Sequence, residues 1–162
     1  MPDTKKTREI SLYSLQLIEL MRAVHEKGNL FRFKAKGISM TPFIRDGDIL
    51  TISPLKQKLQ IGDVVPFIKP GFIKLIVHRI VRKRRNNYLL KGDNSWNFDG
   101  TIHAENLLGI VSKIERGKRK IGIGFGIDKF FIAFLSRFKV LNVLLFLIRF
   151  FLSVFRKNNN NG

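Results

Sequence analysis

Ser39 lies in the run Gly37-Ile-Ser-Met-Thr-Pro-Phe-Ile-Arg-Asp-Gly-Asp48, a small loop that presents one hydroxyl and then turns through Pro and an acidic Gly corner into Ile49-Leu-Thr-Ile52. Downstream come His78-Arg79 within an apolar run, Lys91-Gly-Asp-Asn94, and a further acid, Asp99. These residue types are the parts of an acyl-transfer site. A Ser hydroxyl is a poor nucleophile unless a base takes its proton, and the base then returns that proton to the leaving amine. A carboxylate on the second ring nitrogen fixes the tautomer and orientation of the base.

Three histidines compete for the basic role. His25 falls in an amphipathic stretch and is expected at the surface, and His103 falls in a polar loop. His78 shares a strand face with Ile76 and Ile80, where an isolated polar ring needs a partner, so it is the candidate base. Simpler readings stand beside these. Ser39 alone would pass for a loop residue, and Asp46 and Asp48 are accounted for by a turn before a strand rather than by a metal. Arg82–Arg85 reads as the solvated end of a hairpin. No metal and no cofactor are expected.

The elements that must position these groups are short. Residues Ser11–Lys27 carry Leu12, Leu15, Ile18, Met21 and Val24 at three-to-four spacing and stop at Gly28-Asn29, which predicts an amphipathic helix. Strands are predicted at Phe31–Lys34, Ile49–Ile52, Val64–Ile68, Phe72–Val81, Tyr88–Lys91 and Leu107–Glu115, with turn signals between them. The fold class is mainly β, a small coiled sheet or partly open barrel. The expected organisation is a helical segment over 1–30, a β-rich domain over 31–117, a Gly- and Lys-rich linker over 118–128, an apolar helical segment over 129–157 and a disordered tail over 158–162.

The chain of 162 residues carries 30 Lys and Arg against 12 Asp and Glu, a net charge of +18, which points to a polyanionic neighbour. After Glu115 there are ten cations and one acid, Asp128, so this last third holds +9 of the total together with most of the Phe. Cations mixed with dense Phe, Leu and Ile fit an anionic membrane surface, and no nucleic acid is expected. Cysteine is absent, so no disulfide or thiolate site exists.

Taken in order, the Ser39 run, Gly62-Asp-Val-Val-x-Phe67, His78-Arg-Ile-Val81, Lys91-Gly-Asp-Asn94 with Asp99, and Leu108-Gly-Ile-Val111 resemble the signal peptidase I family of serine peptidases (the S24/S26 type). Within it the chain is similar to the Ser-His-Asp branch, and the resemblance runs over about Phe33–Val111. It implies Ser39 as nucleophile and His78 as base, where the more common bacterial branch and the self-cleaving repressors place a Lys. Asp99 matches the acid that orients the His, and Asp93 is expected to brace its own loop or support the pair. Gly37 stands where many members carry a Ser that helps bind the oxyanion, so oxyanion binding falls to backbone N–H groups, including that of Ser39. Gly37, Ile38, Met40 and Pro42 are the candidate substrate-binding residues. The implied partner is a peptide or preprotein, with small side chains before the cut. A non-catalytic peptide- or lipid-binding module on the same fold is the alternative.

Phe130–Phe155 is nearly all apolar. Treated as one helix, it gathers Lys139, Asn142, Arg149, Ser153, Arg156 and Lys157 into one sector, which suits a helix lying in the membrane plane. A spanning helix needs about 20 apolar residues, and Arg149 in its interior would cost up to about 3 kcal/mol. The polar Ser11–Lys27 stands where signal peptidases of this branch carry a membrane segment. The expectation is therefore a membrane-associated enzyme with its catalytic domain on the cytoplasmic side.

Overall fold

The computed structural model describes residues 4–159 apart from Ile73 and Phe125, with side chains from residue 14 onwards except for those two, Phe151 and residues 153–159. Helix α1 (Thr4–Glu26) is longer than its amphipathic core predicts. It ends where Gly28, at φ 72°, donates its N–H to the His25 carbonyl at 2.9 Å, a left-handed glycine cap. Ile18 and Met21 on its apolar stripe are fully enclosed against the strands, each burial stabilising by about 1.5–3 kcal/mol. The helix is thereby part of the β domain's core rather than a separate segment. His25, expected at the surface, is half-buried instead, with Nδ1 at 2.9 Å from the Leu108 carbonyl.

The fold is mainly β and consists of two antiparallel four-stranded sheets. The first has the order β1 (Phe31–Lys34), β2 (Ile49–Ser53), β7 (Ile110–Arg116), β8 (Arg119–Lys120). The second runs β3 (Val64–Ile68), β4 (Leu75–Arg84), β5 (Asn87–Lys91), β6 (Phe98–His103). The small coiled sheet or partly open barrel that was expected takes the form of this pair of sheets, with no closed barrel, joined at a bridge between Phe67 and Leu107 and by the Leu108 N–H to the Pro66 carbonyl at 2.9 Å. One core, with Leu50, Ile52 and Ile114, lies between the first sheet and α1. A second, with Phe67, Ile80, Leu90 and Ile102, belongs to the other sheet.

Three strands depart from expectation. β7 begins at Ile110 rather than Leu107, because a short 3-10 turn over Ala104–Asn106 ends at Leu107. β4 begins at Leu75 rather than Phe72, because the Pro70-Gly71 turn carries Phe72 out into solvent. β6 occupies a stretch predicted to be turn and loop; only Ile102 of its residues is buried, so it has almost no apolar alternation to read.

The C-terminal region differs more. The expected linker over 118–128 contains β8, and Asp128 opens α2 (Asp128–Arg137). Helix α3 (Val140–Asn159) follows after Lys139, whose φ of 60° breaks the helix. The single continuous helix expected over 130–155 is thus two helices bent by 89°. No single helix among the described residues is long and apolar enough to cross a membrane; α2 and Val140–Phe150 have that length and composition only together. The proposed cationic sector also breaks up, since Lys139 lies in the corner and Asn142 is buried. The side chains of Ser153, Arg156 and Lys157 lie outside the described residues. Of the tail expected to be disordered, Asn158 and Asn159 close α3, and residues 160–162 lie outside the described residues.

Candidate active site

The Ser39 loop is shaped by its acids. Asp46 accepts the Gly37 N–H at 2.7 Å, and Asp48 accepts the Arg45 N–H at 2.8 Å. Gly47, at φ 87°, donates to the Ala35 carbonyl and closes the neck of the loop. Asp48 is held below the ordinary carboxylate range: burial pushes its pKa up, but the Arg116 hydrogen bond and charge and the Arg45 N–H outweigh it. Both acids therefore serve the turn. Among the described residues, no cluster of three or more His, Cys, Asp or Glu forms a metal site.

Within this loop Ser39 is exposed, and its Oγ lies 2.9 Å from His78 Nε2. His78 Nδ1 lies 2.5 Å from Asp99 Oδ2. With the carboxylate accepting from Nδ1–H, the Nε2 lone pair is left to accept the Ser39 O–H, the direction of proton transfer that activates a nucleophile. His78 is 7% exposed, on the face of β4 that carries Ile76 and Ile80, and Phe67 packs beside the ring at 6.0 Å between centroids. Asp99 reaches it from β6 through a bulge. Phe98 pairs with Lys91 and Thr101 with Leu89, so β6 carries one extra residue there, and Gly100 takes φ 90°. A bulge of this kind re-aims a side chain next to a site.

Asp93 does not join them. It is completely buried and takes Arg79 in a bidentate pair, at 2.9 Å from Nε and 2.8 Å from Nη2. Arg79 also donates to the Gly62 and Gly124 carbonyls at 2.8 and 2.7 Å. Asp93 thus braces the turn and the start of the C-terminal region.

The candidate substrate-binding residues separate. Gly37, Ile38 and Pro42 are exposed, Ile38 at 67%. Met40 is 4% exposed and turned into the core, where its sulfur accepts the Asp93 N–H at 3.4 Å, so it does not face substrate as expected. The Gly37 N–H is already committed to Asp46. The Ser39 N–H makes no hydrogen bond to the described residues.

Three contributors escape a reading by residue type. Gly92 passes so close to the pair that a Cβ there would stand 2.7 Å from the Ser39 carbonyl oxygen and 2.9 Å from His78 Nε2. Asn94 holds the nucleophile loop twice, its N–H on the Ser39 carbonyl at 2.8 Å and its Nδ2 on the Ile38 carbonyl at 3.1 Å. Lys91, also buried, donates to Asn142 Oδ1 at 2.7 Å and Ser136 Oγ at 3.2 Å. The Lys-Gly-Asp-Asn run was the available signal, but its residues act by close approach and support.

Comparison with known proteins bears on the same region. A family model described as Peptidase S24-like matches residues 5–113, from α1 into β7. The signal peptidase complex catalytic subunit SEC11 of Candida tropicalis (strain ATCC MYA-3404 / T1) is 35% identical over 71 residues, a match covering 41% of this chain and 43% of that protein. The chain thus spans less than half the length of this curated relative.

Proposed function

We propose, from the premise that the chain belongs to the Peptidase S24-like family, that it is a membrane-associated serine endopeptidase of the signal peptidase kind, removing a signal or leader peptide. The observation that carries this reading is the unbroken hydrogen-bond chain from Ser39 through His78 to Asp99. Ser39 Oγ attacks the scissile carbonyl carbon while its proton passes to His78 Nε2. Asp99 holds the ring and stabilises the imidazolium, and the Ser39 N–H donates to the oxyanion. Collapse of the tetrahedral intermediate breaks the C–N bond as His78 returns the proton to the leaving amine. Water, deprotonated by the same ring, then releases the acyl group and restores the serine.

A preprotein substrate is supported by the likeness to a signal peptidase complex catalytic subunit. Membrane association is supported by exposed apolar residues along α2 and α3, among them Phe131, Phe134, Phe146 and Phe150, flanked by the cations Arg137, Lys139 and Arg149. Cleavage of a leader-type peptide by the full chain in detergent or lipid tests the reading. Ser39→Ala and His78→Ala are each expected to abolish turnover while the circular dichroism spectrum stays unchanged. Turnover that survives Ser39→Ala overturns it.

A further inference from the structure

Arg149 is the cation that interrupts the apolar run of α3, and its place is not explained by headgroup contact alone. Its Nη2 donates to Asn94 Oδ1 at 3.0 Å. The same Asn94 holds the carbonyls of Ile38 and Ser39. Three residues earlier, Lys91 is gripped by Ser136 at the end of α2 and Asn142 at the start of α3. Between the two lies Gly92, pressed against Ser39 and His78. The turn at 91–94 therefore lies between the nucleophile and its base on one side and the α2–α3 corner on the other.

We propose that this turn is a relay through which the seating of α2–α3 positions Ser39 and His78. Asn94 and Lys91 are the positioning residues, and Arg149, Ser136 and Asn142 fix them from the helices. An amide side chain rotates freely about its terminal torsion unless both ends are engaged. Arg149 takes the oxygen of Asn94, so the nitrogen stays aimed at Ile38. Lys91 likewise loses its anchor if α3 shifts, and Gly92 moves with it. The helices that carry the apolar surface are thus the helices that hold the catalytic geometry, and seating them on a bilayer steadies the site.

The inference rests on the peptidase reading, so the test needs a readout that does not depend on cleavage. The full chain is compared with Arg149→Leu, Arg149→Lys and Asn142→Leu on vesicles of phosphatidylcholine and phosphatidylglycerol. Arg149→Leu makes α3 more apolar, so vesicle binding is kept. Its kcat should fall about tenfold with KM within about twofold, because a misplaced nucleophile affects turnover rather than capture. Arg149→Lys, which restores a donor, should recover most of the loss. Hydrogen exchange over residues 38–41 should quicken in Arg149→Leu and Asn142→Leu and slow in the parent on adding vesicles. Unchanged kcat in both apolar variants, with Ser39→Ala inactive, overturns the relay and spares the enzyme. If Ser39→Ala remains active, the peptidase reading fails, and exchange alone decides: unchanged protection over residues 38–41 overturns the relay.

Discussion

Asp99 lies against His78 with 12% of its side chain open to solvent, whereas Asp93 and Arg79 are enclosed together with none. The proposed roles give the two acids different failures. Asp99→Asn keeps the shape but presents an amide to Nδ1, which permits the wrong tautomer, and in a Ser-His-Asp site that loss reaches about 10⁴ in kcat. Its melting temperature should hardly move. Asp93→Ala strips the carboxylate from a buried guanidinium, a change that costs about 3–5 kcal/mol. It should lower the thermal midpoint sharply, and because Asp93 braces the 91–94 turn, any loss of kcat should come with that loss of stability. Steady-state kinetics paired with thermal denaturation separate the cases; large loss of kcat in Asp93→Ala at unchanged stability would reverse the assignment. Adjacency in sequence is a poor guide here, because the six residues from Asp93 to Asp99 cross from the turn after β5 into β6.

At the scale of elements, β5, α2 and α3 meet on the Lys91 ammonium. Burial lowers its pKa from 10.5 to about 8, the nearby Lys139 adds to that, and Asp93 and Asp99 pull the other way. A lysine whose folded pKa lies below its unfolded value binds fewer protons folded than unfolded between the two. Stability from this group therefore rises with pH from about 8 to about 10.5. Urea midpoints at pH ~7.5 and ~9.5 should show the parent gaining relative to Lys91→Met; identical pH slopes would refute the buried charge. The strands that flank the Ser39 loop and the strand that carries His78 were legible in the sequence because their alternation and turn residues agree. β6 was not, since its stability comes from pairing with β5 and its faces carry little apolar pattern. The break before α3 was equally hidden: an unbroken apolar run reads as one helix, whereas the left-handed Lys139 falls between Ser136 and Asn142, which are both tied to Lys91 across the fold. Ser39 and His78 could be selected from their motifs and order along the chain, whereas Gly92 and Asn94 matter through proximity, which only folding creates.

For the whole molecule, the open question is what kind of attraction brings it to a bilayer. Its charge of +18 would draw it to any anionic surface, while the Phe and Leu side chains exposed on α2 and α3 would be held by the hydrocarbon boundary itself. The two contributions respond differently to salt. Raising ionic strength from about 0.1 M to about 1 M shortens the screening length from about 10 Å to about 3 Å, which removes attraction between exposed charges but leaves apolar burial intact. Cosedimentation with vesicles containing phosphatidylglycerol should therefore weaken with salt yet persist at the high end. Replacing Phe131, Phe146 and Phe150 by Ser should make the remaining binding fully salt-labile. Complete release of the parent at high salt would reduce α2–α3 to a charged surface contact, and absence of binding at low salt would remove the membrane from the proposed function. Persistence would place the Ser39 loop, tied to α3 through Asn94, within a few ångströms of the helix that enters the interface, which is where a leader leaving the bilayer becomes accessible to cleavage.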